Sequence, residues 1–209
     1  MPAAPLLEVR DLSIGFRAGR NILTGISLSI GRAAIVGLTG PSGRGKTTLA
    51  MALLQLLPPE YEVRGEIHLH GGARMAMIFQ DPLLALNPVL TVRRQISEVL
   101  RARAVTGDTQ GDPAELLALA GVADTARVLR AYPHQLSGGE LQRVTIAQAL
   151  AARPALILAD EPFTALDAPR VVALSALFRR LRDENGTSFL LIGHDAAVLQ
   201  ATADRVERL

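Results

Sequence analysis

Apolar and polar positions alternate over residues 6–16 and again over 22–30, around a turn at Arg17-Ala18-Gly19-Arg20. That period of two predicts two strands paired as an antiparallel hairpin or meander. Residues 33–38 form instead a short unbroken apolar run, the pattern of a strand covered on both faces. A glycine-rich loop follows, then a helix over about 45–57 that is apolar most of the way round. Residues 65–70 and 73–79 predict two more strands, a short hairpin joined by Gly71-Gly72. From 91 to about 132 the spacing becomes helical, through Val92, Ile96, Val99 and Leu100 and then Leu116, Leu117, Leu119 and Val122. The polar stretch 106–112 between these two sets reads as a loop. Strand and helix then alternate again: helix 139–152, strand 155–159, helix 169–184, strand 188–192. Asp167 and Pro169 are start signals for the third of these and Asn185-Gly186 its stop. The pattern predicts an α/β fold with a mostly parallel sheet, an antiparallel N-terminal edge and a helical subdomain over 90–137, all within one domain of residues 1–209.

Composition and charge narrow this picture. The 209 residues contain no Cys, which excludes disulfide frameworks, Cys-ligated metals and thiol catalysis. The longest apolar stretch, 49–57, is interrupted by Gln55 and stopped by Pro58-Pro59, well short of the ~20 residues a membrane span needs. The first residues lack a basic segment ahead of an apolar one, so no signal peptide is expected and the chain reads as cytoplasmic. A net charge of +2 with few aromatic residues gives little support for nucleic acid as a partner. Of the 22 Lys and Arg residues, only Lys46 is lysine. A compact ammonium on a flexible stem is retained at that one position, and the role must suit a point charge.

Lys46 lies in Gly40-Pro41-Ser42-Gly43-Arg44-Gly45-Lys46-Thr47, which fits G-x-x-x-x-G-K-[ST] after a buried strand and at the opening of a helix. Glycines let backbone N–H groups converge on phosphate oxygens, and the helix N-terminus adds its positive end. Lys46 then reaches the β- and γ-phosphates, and the Thr47 hydroxyl can ligate Mg²⁺. A glycine-rich turn is the competing reading, and the flanking strand and helix count against it. The apolar strand before Asp160-Glu161-Pro162 ends in two carboxylates. Strands often end so on meeting solvent, but beside a phosphate loop Asp160 suits the Mg²⁺ shell and Glu161 the attacking water. Leu136-Ser137-Gly138-Gly139-Glu140 opens a further helix. It reads either as a second anion-binding helix start or as a capping box of Ser137 with Glu140. Both readings can hold, and spacing alone favours the cap.

That pentapeptide, between a phosphate loop and an Asp-Glu strand, resembles the signature of ATP-binding cassette (ABC) ATPases. Further family motifs appear in order: Gln80 in Ile-Phe-Gln-Asp-Pro as the Q-loop, Asp167 in Ala-Leu-Asp as the D-loop, His194 in Ile-Gly-His-Asp as the switch histidine. Phe16, 30 residues before Lys46, stands where the family carries an adenine-stacking aromatic. The resemblance runs from about Leu6 to Val206 and implies binding of ATP with Mg²⁺ and its hydrolysis. It assigns nucleotide contacts to Phe16, to Gly40 through Thr48 (Thr48 included) and to Asp167. Thr47, Gln80 and Asp160 become metal ligands, and Glu161, His194 and Gln80 the hydrolytic residues. It implies a head-to-tail dimer with an identical or different cassette, in which Ser137, Gly138 and Gly139 contact the γ-phosphate in trans. The segments Gln80-Asp-Pro-Leu-Leu-Ala-Leu-Asn87-Pro88 and Ala131-Tyr-Pro-His-Gln-Leu-Ser-Gly-Gly are similar to the dipeptide, oligopeptide and nickel importer branch. Such a protein sits peripherally on the cytoplasmic face of the inner membrane, touches a transmembrane permease through about Asp81–Pro88, and meets a solute-binding protein only indirectly.

Three features depart from that branch. The 65–79 hairpin is short, and the sequence ends at Leu209, where a further hairpin and C-terminal extension usually follow; this bears on regulation and dimer stability. Gly193 replaces a Ser or Thr before the switch histidine and is expected to loosen His194. Alternative readings are a non-transport ABC ATPase, a shortened cassette that binds ATP as a regulatory module, and a phosphate-loop kinase. The kinase would leave 136–140 and His194 without a role. His68 and His70 share a strand face, but two ligands without carboxylate support point to an exposed edge face, not a metal site. His134, just before the signature, reads as structural.

Overall fold

The computed structural model describes residues 4–17, 19–105 and 111–209. Two compact units divide the chain, one of residues 1–75 with 155–209 and the other of residues 76–154. The loop expected over 106–112 falls largely on residues outside the described set, as does Ala18 in the first turn.

The first unit contains an antiparallel sheet of β1 (Leu7–Phe16), β2 (Asn21–Ile30) and β4 (Tyr61–Leu69), with β1 in the middle. Leu7 and Val9 are buried on β1, and then Leu12 and Ile14 are, so the inward phase slips by one residue between them. Asp11, at φ 47°, absorbs the slip as a bulge. Opposite it Gly65 sits at φ +104°, where an added Cβ would fall 2.5 Å from Asp11 O, so only glycine fits. The hairpin expected over 65–79 is not formed. The strand begins earlier, at Tyr61, and pairs with β1; among the described residues no ladder joins it to β5 (Met75–Ile78). Gly71 and Gly72, at φ 76° and 63°, turn the chain out of the sheet instead of folding it back.

The same unit carries the parallel strands β3 (Ile35–Thr39), β6 (Leu156–Asp160), β7 (Ser188–Gly193) and β8 (Arg205–Arg208), in the order β6-β7-β3-β8. β6 and β7 are buried along their whole length, as the unbroken apolar run of such strands requires. Helices α1 (Lys46–Leu53), α7 (Ala168–Asn185) and α8 (Ala196–Thr202) pack against these strands. α8 follows β7 without any period that marked it in the sequence. Thr39 pairs with Gly193, and Asp160 with Ile192, so the carboxyl ends of β3, β6 and β7 form one edge. Ligands of open α/β sheets bind outside that edge.

α1 ends four residues earlier than expected. Leu56 N–H donates to Met51 O and Gln55 N–H to Ala52 O, with Gln55 at φ 58°. This is a Schellman termination with glutamine in the left-handed position.

The second unit begins within β5 and is otherwise helical: α2 (Pro82–Ala85), α3 (Val92–Ala104), α4 (Pro113–Leu119), α5 (Thr125–Arg130), a 3₁₀ turn (Pro133–Gln135) and α6 (Gly138–Ala151). Asp81, Asp112 and Asp124 cap α2, α4 and α5 with their carboxylates. Val92, Ile96, Leu117, Val128, Val144 and Ile146 form its core. Arg103, almost fully buried, donates Nη1–H to Ala151 O at 2.7 Å and so covers the carbonyl end of α6.

Candidate functional site

The loop after β3 wraps the start of α1 because its glycines permit it. Gly43 and Gly45 have φ 76° and 86°. A Cβ on Gly45 would lie 2.8 Å from Ile22 Cγ2 and 3.0 Å from Leu23 Cγ, so this glycine meets two constraints together. Pro41, Ser42, Gly43 and Arg44 are exposed, and Thr48 is half-buried. Lys46 is buried and donates Nζ–H to Gly40 O at 2.8 Å and Pro41 O at 3.0 Å. Its ammonium is thus held by the carbonyls of the loop it serves.

Thr47, one residue on, donates its hydroxyl to Asp160 Oδ2 at 2.6 Å. Asp160 ends β6, and its Oδ1 is buried with no hydrogen-bond partner among the described residues. Burial pushes the Asp160 carboxyl above its ordinary range; the Thr47 hydrogen bond and the Lys46 charge oppose this, and the Glu161 charge adds to it. A hard cation fits here, since a hydroxyl and a carboxylate with an orphaned oxygen are the donors that Mg²⁺ takes alongside phosphate oxygens.

Glu161 follows in a left-handed conformation, φ 49°, with its N–H donated to Ile192 O at 2.9 Å. The carboxylate therefore turns toward the end of β7. Its Oε2 lies 2.8 Å from His194 Nδ1 and accepts the Thr164 hydroxyl at 2.9 Å. Thr164 is a contact the motif reading missed; its only sequence signal is the i, i+3 spacing within the turn after β6. His194 is more than half exposed and stands between two cavities of about 460 and 560 Å³. A Cβ on Gly193 would meet only Leu199 at an ordinary 3.5 Å, so the glycine before His194 answers no steric demand.

Phe16, at the end of β1, is 37% exposed, and its ring centroid lies 4.7 Å from that of Tyr61. Tyr61 also escaped the sequence reading. The register pairs it directly with Phe16, and such pairs follow from strand alignment, not from a motif. Asp167 caps α7, its Oδ1 accepting Arg170 N–H at 3.0 Å.

The remaining candidates belong to the second unit. Gln80 is exposed, just past β5. Ser137 caps α6 in a complete capping box: Glu140 N–H donates to Ser137 Oγ at 3.3 Å, and the Ser137 N–H and hydroxyl both donate to Glu140 Oε2 at 2.9 Å. Those bonds, the backbone one first, hold the Glu140 carboxyl below its ordinary range, and ion pairing with Arg127 assists. Nothing lies within 4 Å of a Cβ added to Gly138 or Gly139, and neither has positive φ. Two glycines in the first turn of a helix, required neither by backbone shape nor by internal packing, leave the N–H groups there open to approach. His68 Nε2 lies 3.1 Å from Glu66 Oε2, and among the described residues no group of three or more His, Cys, Asp or Glu is placed to hold a metal ion.

The ABC transporter family model matches residues 23–164. The oligopeptide transport ATP-binding protein OppD of Mycobacterium tuberculosis is 39% identical over 223 residues, covering 97% of this chain and 36% of that protein. The peptidoglycan transport ATP-binding protein YejF of Agrobacterium fabrum is 39% identical over 224 residues, covering 97% of this chain and 41% of that protein. The chain thus spans about two-fifths of the length of these curated relatives. Among solved structures, CbiO1 of Clostridium perfringens, part of the transporter complex CbiONQ, shares the fold at a TM-score of 0.79 and 22% identity, over 99% of this chain and 85% of that one. The dimeric cassette MJ0796 bound to ADP and Pi superposes at a TM-score of 0.77 and 26% identity, over 97% of this chain and 94% of that one.

Proposed function

Because the chain belongs to the ABC transporter family, we propose that it is the cassette that binds and hydrolyses ATP to drive a separate membrane permease. One observation carries the reading: the loops after β3, β6 and β7 bring Lys46, the Thr47–Asp160 pair and the Glu161–His194 pair to one sheet edge. Lys46 exchanges the carbonyls of Gly40 and Pro41 for the β- and γ-phosphate oxygens, and the N–H groups of residues 40 and 42–48 cradle them. Thr47 and Asp160, with Gln80, would hold Mg²⁺, which when bound neutralises charge building on the phosphates. Glu161 accepts the proton of the attacking water, His194 steadies that carboxylate, and the base stacks on Phe16.

Ser137, Gly138 and Gly139 serve the nucleotide of a second cassette, identical or different, in a head-to-tail dimer. The open backbone at both glycines supports this, because a partner's phosphate needs the space a Cβ would take. The D-loop resemblance assigns Asp167 to the nucleotide as well. The helices of 90–137 act as the inserted subdomain of a single cassette spanning 1–209, and about Asp81–Pro88 contacts the permease; Leu83, Leu84 and Val89, all strongly exposed, support that contact. Among the described residues no helix is long and apolar enough to cross a membrane, which suits a peripheral subunit on the cytoplasmic face. The relatives' names favour peptides over nickel complexes as the imported solute, delivered by a separate solute-binding protein.

The test is Glu161→Gln examined by size exclusion with and without Mg-ATP, alongside phosphate release. The substitution should abolish hydrolysis, preserve nucleotide binding, and shift the elution to that of a dimer. Normal turnover in Glu161→Gln would sink the general-base assignment.

A further inference from the structure

We propose that Thr164 is a positioning residue for hydrolysis, fixing which oxygen of Glu161 takes the proton of the attacking water; this rests on Glu161 being the general base. Both hydrogen bonds to the Glu161 carboxylate fall on the same atom. The Thr164 hydroxyl donates to Oε2 at 2.9 Å, and His194 Nδ1 lies 2.8 Å from that oxygen. A carboxylate only accepts, so His194 carries a hydrogen on Nδ1. Oε2 thereby has two donors, while Oε1 takes neither bond and is left for water.

One donor would fix a distance and leave the carboxylate free to swing about it. Two donors converging on one oxygen from different elements, the turn after β6 and the end of β7, arrest that rotation and give Oε1 a fixed direction. General-base catalysis depends on such alignment at least as much as on proximity.

The backbone is built around the same contact. Glu161 and Ala165 both adopt left-handed conformations, φ 49° and 61°, which Cβ crowding disfavours in residues other than glycine. Thr164 N–H donates to Glu161 O at 3.1 Å and closes the turn between them. Phe163 anchors the turn from below, its ring edge-on to Phe178 with centroids 6.0 Å apart. The Thr164 side chain itself is exposed, so core packing does not demand it. Its hydroxyl is spent on the carboxylate.

In the step this serves, a water O–H bond breaks and the proton moves to Glu161 Oε1. The water oxygen bonds to the γ-phosphorus, and the bond from that phosphorus to the bridging oxygen breaks, its electron pair leaving with ADP. Thr164 gains and loses no proton.

The experiment compares Thr164→Val, Thr164→Ser and Glu161→Gln with the unaltered chain. Single-turnover hydrolysis of radiolabelled ATP is measured with protein in excess, and ATP affinity by fluorescence titration. Thr164→Val, nearly isosteric, should slow hydrolysis about tenfold, as expected for a lost hydrogen bond to a charged group. Its ATP affinity should stay within about twofold, since no nucleotide contact is touched. Thr164→Ser should recover most of the rate. Two outcomes overturn the proposal alone: Thr164→Val hydrolysing at the unaltered rate while Glu161→Gln is inactive, or Thr164→Ser as slow as Thr164→Val, which would assign the loss to shape and not to the hydroxyl. Turnover at the unaltered rate in Glu161→Gln overturns the general-base reading beneath it. Should Thr164→Val melt early, Thr164→Ala is read in its place against the same serine variant.

Discussion

Asp160→Asn should make the nucleotide-free protein more stable and the nucleotide-bound protein less so. Asp160 is buried at the end of β6, accepts one hydrogen bond from Thr47, and leaves Oδ1 unpartnered. An unsatisfied buried polar atom costs about 1–3 kcal/mol, and more when the group is charged. Burial, with the Glu161 charge, pushes the Asp160 carboxyl up against the opposing Thr47 hydrogen bond and Lys46 charge. Asparagine keeps an acceptor for Thr47 and removes the charge, though its amide N–H₂ is left equally unpartnered. A net gain of about 1 kcal/mol is then expected, or roughly 2–4 °C in melting temperature for a chain of this size. The sign with pH is set by the raised folded value. A group of that kind favours the folded state below its unfolded pKa and loses that contribution as pH rises through the folded one, so the gain from removing the charge should grow as pH rises and shrink on acidification. With Mg-ATP the order should reverse: a ligand at a hundred times its dissociation constant adds about 2.7 kcal/mol, which only a protein able to hold the metal collects in full. Differential scanning fluorimetry in EDTA and then in saturating Mg-ATP measures both halves. Asp160→Asn melting below the unaltered protein in EDTA would refute the reasoning, because it would mean that the charged Thr47–Asp160 bond outweighs the desolvation.

Gly139→Ala should stabilise α6 by up to about 1 kcal/mol, because alanine is the better helix former and open space awaits its Cβ. The same change should impair hydrolysis and ATP-driven dimer formation; a variant that is both more stable and fully active would argue against a trans contact. Gly45→Ala places a Cβ 2.8 Å from Ile22 Cγ2 at φ +86°, and should lose about 2–4 kcal/mol in urea denaturation from strain and overpacking combined. An unchanged urea midpoint would contradict that geometry. Tyr61→Leu removes the ring against Phe16 and should weaken ATP binding several-fold by titration while leaving the hydrolysis rate at saturation unchanged.

Much of the site could be read along the chain because its parts are local. A phosphate loop needs glycines, a lysine and a hydroxyl within eight residues, and Gly40 to Thr47 display all of them in order. The helix cap at Ser137 is local too, and the expected capping box with Glu140 is present. What escaped was long-range or conformational. Tyr61 meets Phe16 only because β4 aligns with β1, and the strand at 61–69 belongs beside β1 and not in a hairpin with β5. Thr164 is one hydroxyl among many until the left-handed backbone at Glu161 turns the carboxylate back over it.

Periodicity and short-range spacing along the chain encode the α/β class and the glycine-rich loop from Gly40 to Thr47, and they set Asp160 and Glu161 at the end of an apolar strand. The three-dimensional fold alone sets which oxygen of Glu161 is held, that Asp160 Oδ1 lacks a partner among the described residues and which aromatic backs Phe16. Those facts depend on segments that meet only in the fold: Thr47 at the start of α1 with Asp160 at the end of β6, Glu161 with His194 after β7, and Phe16 with Tyr61 across β1 and β4. No local pattern encodes a register between segments so distant, because it is set when buried faces pack together.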